Sequence, residues 1–231
     1  MRTAIVAMLL LLCGRLYAQT VEPVIVEYQG KGEGRITLTN TADVPVAVVL
    51  EAKSFTIGPD GNGIFRPLDE AIHLRLSSTS ARVMPHDKYY VFYSVAADHL
   101  PAWLTVYATF SPLHHGQAMD LRIMLPHTIY LYQKDRLTEG DVKVSAARFD
   151  AQAHKVICTL ENESGRLARV RQVKVTGGHD GHDEADAAGF PFLPGAERQV
   201  EIAWKAAEAP GEIAFQFDGF RVKSGVAAAA P

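Results

Sequence analysis

Short runs rich in Val, Ile, Thr, Tyr and Phe follow one another from Val24 onward, separated by turn residues at intervals of roughly ten positions. Examples are RITLTN, VAVVLEAKSF, IHLRLS, KYYVFYSV and WLTVYATF, with GPDGNG as a hairpin or loop between the second and third. Runs of this kind are typical of β-sandwiches. No apolar pattern with the helical period reaches helical length, and SAARFDAQAH is the best helix candidate. The sequence therefore predicts an all-β fold.

An internal repeat divides the chain into two similar halves. TLTNTA at 37–42 recurs as TLENES at 159–164, and VMPHDKYYVFYSV at 83–95 has its counterpart in FLPGAERQVEIAW at 192–204. Both halves place a strand that ends in Asn before a Pro-led turn and a further strand. We expect two consecutive sandwiches, over residues 19–135 and 136–224, that meet near QKDRLTEGD, followed by a frayed tail over 225–231.

Composition and charge exclude some classes of function. The 231 residues are 48% hydrophobic and 21% charged, which is a globular composition, and the formal net charge is −3. A nucleic-acid groove needs a basic excess, which neither the whole chain nor any local run of Lys and Arg supplies. No Gly-x-Ser-x-Gly turn or phosphate-binding glycine loop is present. We therefore expect no enzyme activity, no cofactor and no nucleic-acid partner.

The first eighteen residues have the form of a signal peptide. Arg2 provides a positive start, an apolar run follows from Ala4 to Leu12, and Ala18 is a small residue after which cleavage is expected. The run is too short to anchor the chain in a bilayer, and no later segment approaches the ~20 apolar residues of a membrane helix. The sequence predicts export without membrane insertion of the mature chain. Cys13 leaves a lipoprotein alternative open.

Removal of residues 1–18 leaves Cys158 as the single cysteine, so the mature chain cannot form an internal disulfide. Cys158 alternates with Val156 and Leu160 in KVICTLEN, which places the three side chains on one face of a strand. This pattern predicts a buried, inert thiol.

The stretch MDLRIMLPHTIYLYQKD at 119–135 is the longest regular alternation in the sequence. Apolar residues stand at every second position, and only His127 interrupts them; these residues are Leu121, Ile123, Leu125, Ile129 and Leu131. Strands usually have about five or six residues. A longer strand must extend beyond its partners or expose apolar side chains past them.

The sequence resembles the periplasmic pilus-assembly chaperones, the PapD-like family, over about residues 21–222 and most firmly in the first half. The matching stretches are TNTADVPVAV, a strand, Asn and Pro-containing turn; IHLRLSSTSARVMPHDKYYVFYSV, paired strands with a Pro-led turn; and WLTVYATFSP, a Trp-containing strand that ends in Pro. The resemblance implies two consecutive immunoglobulin-like β-sandwich domains in a boomerang arrangement.

The resemblance also implies a function. Members of the family lend the last strand of the first domain to an incomplete pilus or fimbrial subunit, which they keep ready for an outer-membrane usher. For this chain it implies a periplasmic chaperone whose donated side chains are Leu121, Ile123 and Leu125. The alternative is a PapD-like structural or adhesive surface protein without chaperone activity.

The chain departs from the family at the place where the subunit's terminal carboxylate binds. Family members use an arginine on the first strand and a lysine on the long strand, and these positions fall here near Pro23 and at Tyr130. Neither residue replaces a cation. Candidates for the anchor are Tyr130, Lys134 and Arg136. Pro126 removes a backbone donor and limits pairing on one side to the residues before it.

The loop GGHDGHDEAD at 177–186 offers a different site. Imidazole and carboxylate groups are competent ligands for zinc or a similar ion, so His179, His182 and Asp183 are candidate metal ligands. Three glycines and an acidic excess equally describe an ordinary solvated loop, and we expect no functional metal there on the sequence alone.

Overall fold

The computed structural model of the chain describes residues 19–113, 122–177, 183–206 and 208–228. A 3-10 helix lies at Glu139–Asp141, and the strands in chain order are β1 Thr20–Glu22, β2 Ile25–Gln29, β3 Gly32–Thr39, β4 Val46–Ile57, β5 Gly63–Pro67, β6 Ile72–Leu76, β7 Ser80–Val83, β8 Lys88–Ala97, β9 Ala102–Pro112, β10 Ile123–Tyr132, β11 Val142–Asp150, β12 Lys155–Asn162, β13 Ala168–Gly177, β14 Asp183–Phe192, β15 Glu197–Ala203, β16 Pro210–Gln216, β17 Arg221–Gly225 and β18 Ala227–Ala228.

Two sheets form the first sandwich. One has the order β1-β3-β8-β6, and the other has the order β2-β10-β9-β4-β5 with β7 also paired to β4. Side chains at alternate positions point between the sheets, and they include the fully buried Ile36, Leu104 and Ile129. The first two strands of the chain belong to different sheets, because β1 pairs with β3 whereas β2 pairs with β10.

The second sandwich has two four-stranded sheets, with the orders β15-β12-β11-β18 and β14-β13-β16-β17. Its core contains Trp204, Phe215 and the alternating trio Val156, Cys158 and Leu160. The thiol of Cys158 is buried, as predicted, and this burial raises its pKa to about 12. A thiol with so high a pKa is almost wholly protonated at neutral pH and therefore a poor nucleophile.

The all-β prediction is confirmed, and the five quoted runs lie in β3, β4, β6, β8 and β9. The helix candidate at 145–154 is wrong. It begins inside β11, crosses a bulge between Ser145 and Arg148, and ends in the turn that leads to β12. In the expected tail, Ala227 pairs with Arg148 in a parallel ladder, whereas 229–231 lie outside the described residues.

Equivalent asparagines show the internal repeat in three dimensions. Asn40 directly follows β3 and Asn162 is the last residue of β12. The side-chain amide of each donates to the carbonyl four residues later, at 2.9 Å to Val44 and 2.8 Å to Arg166. Each amide also donates to the carbonyl of the residue directly before the turn proline, at 3.1 Å to Met84 in one half and at 2.9 Å to Leu193 in the other. The two sandwiches thus share one corner design.

Candidate functional site

Strand β10 contains two of the three residues predicted to be donated. Ile123 and Leu125 are half-buried and pack against the margin of the first core. Leu121 lies outside the described residues. Met124, between the other two, projects to the opposite face of the sheet and is 55% exposed. The end of β10 near Ile123 therefore carries apolar side chains that its own domain covers only in part.

The two edges of β10 are paired over different lengths. On one side β9 accompanies it in antiparallel register from Ile123 to Leu131. On the other side β2 runs parallel to it and begins only opposite Thr128. Among the described residues, the segment from Ile123 to His127 thus has a strand on one side only, and its other edge is free to accept another strand.

Backbone direction shows which groups this free edge presents. The N–H of Thr128 donates to the carbonyl of Val24 at 2.7 Å, so Thr128 directs its backbone toward the β2 side. Strand residues of the same parity share that direction. Met124 therefore offers an N–H and a carbonyl at the free edge, whereas Pro126 offers a carbonyl alone. A strand added here makes its donor-and-acceptor pairing before Pro126.

His127 is the last residue of β10 before the part that pairs with β2. It is fully buried, and its Nδ1–H donates to the carbonyl of Pro23 at 2.5 Å, just before β2 begins. Its ring packs 5.3 Å from that of Tyr93, and its Nε2 has no hydrogen-bond partner among the described residues. Burial lowers the pKa of His127 and so favours the neutral imidazole, although the bond to the Pro23 carbonyl acts in the opposite direction.

The far end of β10 joins the two domains. Tyr130 is buried in a cluster with Phe55 from the first sandwich and with Leu167 and Leu193 from the second. The Arg169 guanidinium lies over the Tyr130 ring at 5.2 Å. Tyr130, which the sequence resemblance aligned with the lysine of the pilus chaperones, thus packs between the domains.

A cavity of about 380 Å³ opens beside this cluster, between the domains. Arg136 is one of its lining residues, whereas neither Tyr130 nor Lys134 is. Two further arginines, Arg169 and Arg171, reach the cavity from β13 of the second domain. Of the three anchor candidates from the sequence, only Arg136 faces the cavity.

Glu27 of β2 extends into this cavity and meets the two arginines of β13. Its Oε1 accepts hydrogen bonds from Arg169 Nε at 2.5 Å and from the Tyr132 hydroxyl at 2.9 Å. Its Oε2 lies 3.3 Å from Arg171 Nη1. Burial on its own raises the pKa of Glu27, but the bonds from Arg169 and Tyr132 and the positive charges of both arginines outweigh it, so that the pKa is lowered.

A second contact between the domains involves the GPDGNG loop. The Gln199 N–H, on the edge strand β15, donates to the carbonyl of Pro59 at 2.8 Å. Gly61 has a φ of +84°, and a Cβ at this position would overlap the guanidinium of Arg198. Arg198 in turn lies 5.2 Å from the centre of the Phe190 ring. The loop of the first domain thereby covers part of the β15 edge.

Half of the candidate metal loop at 177–186 lies outside the described residues, since His179 and His182 fall in the gap at 178–182. Asp183 is exposed and begins β14 opposite Gly177. In the part of the chain that the structure describes, no three His, Cys, Asp or Glu side chains are grouped to hold a metal ion. The three candidate ligands therefore stay an untested alternative from the sequence.

No helix within the described ranges is long and apolar enough to cross a membrane. No protein-family model matches the chain, and no curated protein matches its sequence significantly.

Solved structures match the chain over most of its length at low identity. A structure of Salmonella enterica SafA pilin in complex with the SafB chaperone matches at 11% identity and a TM-score of 0.56, covering 92% of this chain and 98% of the matched one. The chain has the fold of the fimbrial chaperones. The YadV chaperone matches at 9% identity and TM-score 0.54, covering 90% and 98% of the two chains. The E. coli chaperone DraB matches at 11% and 0.51, covering 87% and 91%.

The fimbrial-chaperone fold confirms the prediction of two consecutive immunoglobulin-like sandwiches, and with it the resemblance read from the sequence at the level of fold. Low identity explains why whole-sequence comparison finds no relative. The fold depends on alternation and turns, which survive when few individual residues are shared.

Proposed function

We propose that this protein is a periplasmic chaperone that binds and caps pilus or fimbrial subunits by adding strand β10 to them, and that hands them to an outer-membrane usher. The observation that carries the proposal is the one-sided pairing of β10 from Ile123 to His127. The chaperone fold and the predicted signal peptide at 1–18 support the same conclusion.

Strand addition gives both partners backbone hydrogen bonds and buries apolar side chains of both. A subunit that lacks one strand has unpaired backbone groups along an apolar groove, and an added strand supplies hydrogen bonds and side chains together. Full burial of a bulky apolar side chain contributes roughly 1.5–3 kcal/mol. Ile123 and Leu125 are already half-buried, so each contributes less, and Leu121 is proposed as the third donated side chain.

The arginine-lined cavity is proposed as the place where the terminal carboxylate of the subunit is anchored. Arg136, Arg169 and Arg171 reach it, and guanidinium groups bind carboxylates through charge-assisted hydrogen bonds. Arg169 and Arg171 come from β13 of the second domain, and we propose that these arginines replace the cations that are missing near Pro23 and at Tyr130.

Co-expression with a candidate subunit from a neighbouring gene tests the proposal. We expect a stable binary complex on gel filtration, and we expect Ile123→Asp to abolish it because a carboxylate would enter the apolar groove. Ile64→Asp is the matched control, since Ile64 is 63% exposed on β5 at the opposite edge of the same sheet. The free variants should unfold at similar temperatures.

A complex that survives Ile123→Asp would sink strand donation by β10. Failure of every neighbouring subunit to form a complex, with the protein found at the cell surface, would favour the structural or adhesive alternative. The usher step is tested separately, by asking whether deletion of the gene for this protein removes subunits from the cell surface while the usher remains in the outer membrane.

A further inference from the structure

Glu27 holds the two arginines of β13 in the way that a bound carboxylate would. We propose that Glu27 is an internal stand-in for the carboxylate of the client, which occupies Arg169 and Arg171 in the free protein and must withdraw when a polypeptide's terminal carboxylate arrives. This inference rests on the proposed chaperone function, and it adds a step in which the client carboxylate must displace Glu27 before the client is anchored.

The geometry at Glu27 is that of a ligand site with its ligand in place. One carboxylate oxygen accepts from Arg169 and the Tyr132 hydroxyl, and the other faces Arg171. The Glu27 side chain is still 27% exposed, so solvent reaches it from the cavity. Both carboxylate oxygens of Glu27 therefore have hydrogen-bond partners, and another carboxylate can still approach the site through the cavity.

The charges of the cavity attract a carboxylate even while Glu27 is in place. Its walls contain Arg136, Arg169 and Arg171 against the carboxylates of Glu27 and Asp218, so one positive charge is left over. Arg169 Nη2 is buried and has no hydrogen-bond partner in the described part of the chain. A buried guanidinium N–H without an acceptor is costly, so an incoming carboxylate would make its first hydrogen bond at Nη2 and then replace Glu27 at Nε of the same guanidinium.

The position of Glu27 connects the anchor to the donor strand. Glu27 lies on β2, directly opposite Tyr130 of β10, whereas the arginines lie on β13 of the other domain. Arg171 retains Asp218 as a partner at 2.7 Å when Glu27 leaves, but Arg169 has no second carboxylate partner among the described residues. We therefore expect Arg169 to be the arginine that the new carboxylate takes over.

Competition between Glu27 and a free carboxylate can be measured with a small molecule in place of a pilus subunit. N-acetyl-L-phenylalanine supplies a free carboxylate, and N-acetyl-L-phenylalaninamide lacks it. Binding at pH 7 is followed through the Nε–Hε NMR signals of the arginines in the full chain. We expect Glu27→Gln to bind the acid about tenfold or more tightly than the wild type, a change of about 1.4 kcal/mol, and the amide to bind neither.

Matched variants isolate the effect of Glu27. Glu51→Gln removes an exposed carboxylate from the same sheet and should leave the affinity unchanged. Glu27→Ala also vacates the arginines and should act like Glu27→Gln, and Arg169→Gln added to Glu27→Gln should abolish binding. Thermal unfolding of each variant verifies the fold.

Equal affinity of the acid for the wild type and for both Glu27 variants would overturn the inference, as would binding of the amide as tightly as the acid. Either result can occur while a co-expressed subunit still depends on Ile123, in which case the chaperone function stands and only the stand-in role fails. Acid binding to Glu27→Gln without any subunit complex would overturn the chaperone function instead and retain the competition at the arginines.

Discussion

Two buried asparagines secure corresponding corners of the two sandwiches, and the loss of either amide should destabilise its domain. Asn162→Ala leaves the carbonyls of Arg166 and Leu193 without their donor. We expect the free energy of unfolding to fall by about 2–3 kcal/mol in urea titrations, because buried acceptors lose their partners. Asn40→Ala should have a comparable effect in the first domain.

Asn62→Ala is the control for both asparagines. The Asn62 amide donates to the Asp60 carboxylate on the surface, so its removal should cost less than about 1 kcal/mol. Equal losses for the buried and the exposed asparagines would contradict the role assigned to the corners.

His127 should make the stability of the first domain depend on pH. Burial lowers its pKa in the folded chain from the usual 6.5. The unfolded chain therefore takes up the proton first as the pH falls below about 6.5, and the free energy of unfolding decreases until the folded pKa is passed. Each unit by which the two pKa values differ corresponds to about 1.4 kcal/mol.

Urea titrations between pH 7.5 and 5 measure this dependence. His127→Gln, which cannot titrate, should flatten the slope over that range relative to the wild type. His73→Gln is the control, because His73 is exposed beside Asp98 at the surface. A slope that His127→Gln leaves unchanged would contradict the role of this buried imidazole.

Single residues also mark the limit of prediction from the sequence. The apolar side chains of Ile123 and Leu125 were predicted to share one face of a strand because alternation is a local pattern, whereas their donation to a subunit stays a prediction. Glu27 and Arg169 carry no local signal, since 142 residues separate the two partners of their ion pair. Only the packing of one domain against the other brings them together.

At the level of elements, Pro126 limits how far the free edge of β10 can pair. Pro126 lacks a backbone N–H on the side of β10 that faces away from β9. An uninterrupted row of backbone donors and acceptors on that side would favour pairing with strands of other molecules. We expect Pro126→Val to increase self-association, because the added N–H extends the pairing edge. Sedimentation velocity across a range of protein concentrations measures the change.

Adding Ile123→Asp to Pro126→Val should restore the monomer, since the charge disfavours stacking of a second β10 edge. Pro67→Val, at the end of β5 on the opposite edge, should leave the sedimentation coefficient unaltered. Self-association of the Pro67 variant to the same degree would assign the effect to the sheet in general rather than to β10.

The strands that the sequence predicted are those whose alternation is regular. β5 was missed because all of its residues are exposed, so it has no apolar period to detect. β11 was taken for a helix candidate because its bulge, with Ala146 at a φ of +52°, interrupts the alternation in a run of small residues. Irregular backbone geometry and the absence of burial are the two causes of error at this scale.

For the whole molecule, the GPDGNG loop should help to hold the domains at a fixed angle. Replacing Pro59–Asn62 with Asn-Gly closes the β4–β5 hairpin with a short turn and removes the bond from Gln199. We expect a broader distribution of distances between spin labels at Glu70→Cys and Gln152→Cys. Buried Cys158 should remain unlabelled, because its thiol is protonated and inaccessible.

Lys53→Ala is the control for the shortened loop, because it alters the same sheet without touching β15. Identical distance distributions in the wild type and the shortened variant would show that the cluster around Tyr130 sets the angle by itself.

The parallel pairing of β2 with β10 also constrains the order in which the chain can form. Pro23, just before β2, precedes His127 by 104 residues, so a chain that emerges from its N-terminus presents β2 long before β10 is available. Contacts of such large sequence separation form late in folding. The first sandwich can therefore close only after Tyr132 has emerged, and among the described residues closure leaves the segment from Ile123 to His127 with a strand on one side only. In the proposed chaperone, readiness to bind a subunit is then timed by the folding of the protein itself.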